Sequence, residues 1–124
     1  MLKEWKPIIL LTLISDTAAL KEYLLVDSGA DITLIPKRVG KELGFVLKEG
    51  EEPSSLGGVS GSTPIVYRQV KLRIGEFEFD TPVAWALLEE KIPLLLGREV
   101  VFDKFDIEFK QAERKVIFRW RDEQ

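Results

Sequence analysis

Tyr23-Leu24-Leu25-Val26-Asp27-Ser28-Gly29-Ala30-Asp31-Ile32-Thr33-Leu34-Ile35-Pro36 is the stretch on which the reading of this chain turns. Tyr23 to Val26 reads as a strand running into a core. It ends on a carboxylate, Asp27, which is costly beside a buried strand unless it is hydrogen-bonded, neutralised or put to use. Gly29 lets the backbone turn sharply and come close to a neighbour. The Ser28 hydroxyl can both donate and accept hydrogen bonds to hold that turn. An ordinary turn favours the same three residue types, so the motif alone leaves both readings open. Beyond it, Ile32 to Ile35 reads as a second short strand. Pro36 suits the first turn of a helix, Val39 and Leu43 fall four apart on one face, and Gly44 supplies a stop.

Working outward, the pattern is mostly β. A strand from about Trp5 to Ile14 meets a polar turn, Ser15 to Lys21, before Tyr23. Its apolar run, Pro7 to Ile14, follows Lys3 and Lys6 and could pass for a short secretory leader ending near Ala18. Glu4 is out of place in a basic leader, and we read the run as a first strand of an uncleaved, cytoplasmic chain. Lys48 to Pro64 is rich in Gly, Ser and Glu and reads as a loop or hairpin tip. Val66, Val70, Leu72 and Ile74 then alternate with polar residues, a strand with one wet face. Gly75-Glu76 turns the chain into a partner beginning at Phe77, and Val83 to Leu87 reads as a further strand. Ile92 to Leu96 is a continuous apolar run expected to be buried on both faces, ending at Gly97. Arg98 to Phe105 fits one helical segment. Asp106 to Phe109 and Lys115 to Trp120 form a last hairpin across Gln111 to Arg114. No linker interrupts this order, so residues 1–124 are expected to form one domain. A faint echo runs through it: Leu24-Leu25-Val26 leads to Gly29, and Leu94-Leu95-Leu96 leads to Gly97, each with a helix following.

Composition narrows the chemistry. The 124 residues are 45% hydrophobic, which is too apolar for a disordered chain. Cysteine and histidine are both absent. That removes disulfides, thiolate nucleophiles, Cys/His zinc sites and any imidazole base. A net charge of −3 argues against a dedicated nucleic-acid binder, which needs surplus Lys and Arg. No apolar run approaches the roughly 20 residues of a membrane helix. The Glu49-Gly50-Glu51-Glu52 run lacks the ligand spacing of a calcium loop, and Gly57 to Gly61 is no dinucleotide fingerprint because no helix pattern follows it. No metal, cofactor, nucleic acid or membrane is expected as a partner. Carboxylates, hydroxyls and backbone must carry whatever the chain does.

The order of these parts resembles the retropepsin-like aspartic proteases over most of the chain, roughly Leu24 to Phe109. That family has an Asp-Thr/Ser-Gly-Ala loop, a lid with glycines at its tip, and an apolar-apolar-Gly element before a helix. Here these are Asp27-Ser28-Gly29-Ala30, the loop Gly57-Gly58-Val59-Ser60-Gly61, and Leu95-Leu96-Gly97. The resemblance implies an all-β acid-protease barrel with one or two short helices, and catalytic roles for Asp27, Ser28 and Gly29. It implies substrate contacts at Ala30, Asp31 and the residues from Gly57 to Gly61, and structural support from Leu95, Leu96, Gly97 and Arg98. It further implies that Arg98 pairs with Asp31. The long hairpin after Phe105 departs from the family pattern.

Such chemistry needs two carboxylates facing one water, and only one Asp-Ser-Gly occurs in this chain. A symmetric homodimer would supply the second Asp27 across its two-fold axis. The implied activity is an aspartic endopeptidase acting on extended peptides, with apolar side chains preferred beside the scissile bond. The rival reading is a non-catalytic dimerisation or peptide-binding module on the same fold. An intact Asp27-Ser28-Gly29 separates the two, because a binding module has no need of a desolvated acid pair.

Overall fold

The structure is a computed structural model that describes residues 5–58, 61–89 and 91–122. The apolar stretch after Pro7 forms β1 (Ile8–Ile14), in which Leu11 and Leu13 are buried while Ile8 and Leu10 face outward. That alternation is the period-two signature of a strand with one covered face. It pairs antiparallel with β2 (Ala19–Val26), in register from Ile8 opposite Leu25 to Ile14 opposite Ala19. The turn between them is shorter than the sequence suggests, since β2 already begins at Ala19. Its hydroxyls work at a distance: Ser15 Oγ and Thr17 Oγ1 donate to the Leu43 carbonyl at 2.6 and 2.9 Å. They satisfy a carbonyl left open at the end of α1 (Lys37–Glu42), where Gly44 takes φ +87°.

The remaining elements are β3 (Thr33–Ile35), β4 (Ser54–Gly58), β5 (Gly61–Ile74), β6 (Phe77–Ala86), β7 (Leu95–Leu96), α2 (Val101–Lys104), β8 (Phe105–Lys110) and β9 (Lys115–Trp120). β1 to β7 form one sheet in the order β1-β2-β7-β3-β6-β5-β4. β1 also pairs with β5, Thr12 opposite Arg73 through Ile14 opposite Lys71, so the sheet curls closed into a barrel. The mostly-β barrel with short helices agrees with the expectation.

Three local expectations change. The strand after Gly75 and the one at Val83 to Leu87 are a single strand, β6, because Thr81 and Pro82 stay paired opposite Val70 and Gln69. The apolar run from Ile92 gives only the two-residue β7; of its residues Leu96 is buried, while Ile92, Leu94 and Leu95 are half-buried. The helix expected over Arg98 to Phe105 shrinks to Val101–Lys104, since Phe105 opens β8. Of the two readings of Lys48 to Pro64, loop or hairpin tip, the structure takes the hairpin: Ser54 to Gly58 pairs with β5 from Ile65 back to Gly61.

The principal core packs Leu13, Leu24, Ile35, Val39, Leu43, Leu72, Val83, Leu96 and Val101 inside the barrel. The hairpin β8–β9 is a separate two-stranded sheet fastened by aromatic rings. Phe77 of β6 stacks on Trp120 with centroids 4.6 Å apart, and Phe77 and Phe79 meet Phe105 edge-on at 6.2 and 5.9 Å. Each such contact is worth about 0.5–1.5 kcal/mol beyond area burial, enough to dock a ribbon that has no strand pairing to the barrel among the described residues.

Candidate active site

Asp27 stands where β2 runs out. β2 and β7 are parallel neighbours, Leu25 opposite Leu95 and Val26 opposite Leu96, so the two echoing Leu-rich segments lie side by side. The Leu25 N–H donates to the Leu94 carbonyl at 2.9 Å, and the Asp27 N–H to the Leu96 carbonyl at 3.0 Å. Past that point the chain closes on itself. The Ala30 N–H returns to the Asp27 carbonyl at 3.1 Å, and the Gly29 N–H donates to Asp27 Oδ1 at 2.9 Å. Asp27 is half-buried, with one carboxylate oxygen oriented by that backbone donor. Ser28 and Gly29 are exposed, and the Ser28 hydroxyl makes no hydrogen bond among the described residues.

The segment after β7 braces this loop from behind. The Arg98 N–H donates to the Ala30 carbonyl and the Glu99 N–H to the Asp31 carbonyl, both at 2.9 Å. The Arg98 guanidinium forms an ion pair with Asp31, as the resemblance implies. Both partners are solvent-facing, 53% and 86% exposed, so the pair adds orientation more than stability. Gly97 lies directly against the other strand: a Cβ there would overlap the Ile32 carbonyl and sit 2.7 Å from the Thr33 nitrogen. Only glycine allows that approach. Three residues on, Val100 takes φ 67°, ψ −50°, and the Val101 N–H reaches back to the Glu99 carbonyl at 2.8 Å. This is the strained γ-turn, which a β-branched residue adopts only when its surroundings impose it.

Sequence reasoning missed Thr33. It is fully buried, and its Oγ1 accepts the Gly97 N–H at 3.1 Å, tying β3 to the end of β7 just behind the Asp27 loop. The one available signal was a hydroxyl inside the apolar run Ile32 to Ile35, which burial makes costly without a partner. Also missed was a second apolar cluster, in which Ile32, Leu34, Ile65, Ala84 and Ala86 are joined by half-buried Leu56, Ile92 and Leu95. Leu34 and Leu95 are direct register partners on this face.

The glycine-rich tip belongs to the β4–β5 hairpin, with Gly57 opposite Ser62 and Gly58 opposite Gly61; Val59 and Ser60 lie outside the described residues. At the hairpin's base, Arg68 makes two parallel hydrogen bonds to the Glu51 carboxylate, both 2.7 Å, and a third to the Val46 carbonyl at 2.9 Å. Those bonds, with the Lys48 N–H behind them, hold the Glu51 carboxyl down to about 2. The same guanidinium lies 5.9 Å from the Trp85 ring centre. Among the described residues no three carboxylates converge as a metal site, and no helix is long and apolar enough to cross a membrane.

Comparison with known proteins agrees with this layout. The chain is similar in structure to the EIAV protease complexed with the inhibitor HBY-793, with a TM-score of 0.63 and 21% sequence identity over 81% of this chain and 88% of the other. At that identity the match speaks to the fold. No curated protein matches the sequence. The sequence model of the aspartyl protease family matches residues 22–100, a span that opens on the strand feeding Asp27 and closes on the γ-turn residue that follows the bracing segment. By that match over more than half its length, the chain belongs to the aspartyl protease family.

Proposed function

We propose that this chain is an aspartic endopeptidase, formed as a symmetric homodimer, in which two Asp27 carboxylates activate one water. The observation that carries the reading is the loop from Asp27 to Ala30, whose backbone orients one oxygen of a half-buried carboxylate while leaving the group accessible. The exposed, unengaged Ser28 hydroxyl supports a role reaching across the dimer axis to the partner's loop. Carboxylates brought within about 3 Å cannot both ionise easily, so the pair shares one proton and titrates in two coupled steps. The ionised member takes a proton from the water as it attacks the scissile carbonyl, and the protonated member donates to the carbonyl oxygen. Gly29 supports the carboxylate, and the Gly29 and Ala30 backbone would hold an extended peptide beside Asp31. The hairpin tip, Gly57 to Gly61, would close over that peptide and exclude water. Half-buried Leu56, Ile92 and Leu95 would take apolar side chains flanking the scissile bond. Leu95, Leu96, Gly97 and Arg98 then act as the brace, and residues 1–124 as one cytoplasmic domain whose partners are its own copy and a polypeptide substrate.

The test is cleavage of a mixed peptide pool from pH 3 to 8 by wild type and by Asp27→Asn. The expected outcome is a bell-shaped profile for wild type and complete loss in Asp27→Asn, with the folded dimer retained in sedimentation. Cleavage that survives the substitution, or an active chain that sediments as a monomer, overturns the shared-dyad mechanism.

A further inference from the structure

A cleft of about 480 Å³ opens beside the apolar cluster, between α1 and the segment that leads into β7. Its floor is apolar, with Pro36 buried and Ile92 half-buried. Its rim is cationic: Lys37, Arg38 and Lys41 from α1, and Lys91 from the opposite wall. Arg38 is engaged by Glu22 of β2 at 2.8 Å. Facing the three lysines, the described lining holds a single acid, Glu89, whose Oε1 lies 3.6 Å from Lys37 Nζ and 3.7 Å from Lys41 Nζ. Glu89 is 72% exposed and lies just ahead of the β7 approach. The chain's own carboxylate thus marks the group that this rim accepts.

Position ties the cleft to the candidate active site. Ile92 lines it and also packs in the apolar cluster with Leu34 and Leu95. Leu95 pairs with Leu25, two residues before Asp27. The path from Ile92 through Leu95 and Leu25 to Asp27 is five residues and one strand spacing, at most roughly 20 Å at about 3.3–3.6 Å per residue, a length that some four to six residues of an extended peptide would cover.

We propose that the Lys37/Lys41/Lys91 cleft is an accessory substrate site that binds a carboxylate side chain, Asp or Glu, of the polypeptide some four to six residues from the cleaved bond. This rests on the protease reading and adds to it a substrate class: apolar at the scissile bond and acidic at a distance. Glu89 holds Lys37 and Lys41 in place in the free protein and yields to, or shares them with, the incoming acid. Contacts of this exposed kind are each worth about 0.2–1 kcal/mol, so the expected effects are several-fold and fade with salt.

The experiment pairs a cleaved peptide carrying Glu four to six positions from the scissile bond with its Gln counterpart. For wild type, KM for the Glu peptide is expected to be about fivefold lower, with kcat within twofold, and the preference should shrink at high ionic strength. The triple variant Lys37→Gln/Lys41→Gln/Lys91→Gln should erase the preference without changing kinetics on the Gln peptide, whereas Glu89→Gln should sharpen it. Fluorescence anisotropy of the same labelled peptides on Asp27→Asn reads binding without turnover, so a failed protease reading is seen separately. Charge-dependent binding lost in the triple variant supports the cleft even if no peptide is cut. A KM indifferent to the Glu, a preference that survives the triple variant, or equal displacement by millimolar inorganic phosphate, which would make this a small-anion site, overturns the proposal.

Discussion

The loop from Asp27 to Asp31 and the hairpin from Ser54 through β5 are both glycine-bearing turns, yet they are held in unlike ways. The loop is fixed by main-chain hydrogen bonds from two directions, through Leu96, Arg98 and Glu99, and by the buried Thr33 hydroxyl behind it. The hairpin's described residues pair only with each other toward its tip; lower down β5 joins β6 from Ile65 onward, and Arg68 clamps the base by reaching Glu51 and Val46. A group meant to orient a proton needs the first construction, because small displacements cost rate. A segment meant to admit and cover a substrate needs the second, since its stability must lie at the low end of the molecule.

The largest break in this comparison should come from glycine substitutions. Gly97→Ala drives a methyl into the Ile32 backbone and is expected to destabilise the protein by about 3 kcal/mol or more in urea unfolding. Gly57→Ala meets nothing within 4 Å and should stay within about 0.5 kcal/mol of wild type. Equal costs would mean that the two turns are not held differently. Next in size is Thr33→Val, which leaves the Gly97 N–H buried without an acceptor and should cost about 1–3 kcal/mol. Thr33→Ser keeps the oxygen and should recover part of that loss in the same unfolding measurement.

Glu51→Gln sharpens the other side. A carboxyl lowered to about 2 from an ordinary 4.5 contributes stability that is fully present above pH 4.5 and is lost as pH falls toward 2. Wild type should therefore show falling amide protection factors at the hairpin base as pH drops through that window, while the Asp27 loop keeps its protection. Glu51→Gln should remove this pH dependence of the protection factors and lower them at neutral pH. An unchanged exchange pattern would separate the hairpin from its Arg68 anchor. The smallest effect belongs to Arg98→Gln: with both partners exposed, its Tm should reflect under about 1 kcal/mol, and added salt should shrink even that.

Much of this protein was legible from its residues. The Asp27-Ser28-Gly29 loop after an apolar strand, the alternation over Val66 to Ile74, the Gly75-Glu76 turn and the closing hairpin are local patterns of period two and turn chemistry, and the structure keeps them. The errors cluster where neighbours, not sequence, set the outcome. Ile92 to Leu96 looks like a strand buried on both faces, but strand length depends on partners, and β7 is wedged between β2 and β3 with room for only two paired residues. Thr81-Pro82 looks like a break, yet the opposing β5 carries the strand through.

By itself the sequence determined which chemistry was possible: without histidine or cysteine, a carboxylate set in a glycine turn is the sharpest reactive group the chain offers. Local propensity and residue inventory are properties of the chain, so they survive without coordinates. What only the tertiary structure decided is who touches whom over long separations. Thr33 accepts the Gly97 N–H across 64 residues, Arg68 reaches back 17 residues to Glu51, and Val100 is forced to a positive φ so that α2 can turn back toward the barrel. Those choices follow from closing a barrel around one core, where burial makes each unpaired polar group costly and each backbone contact a steric constraint.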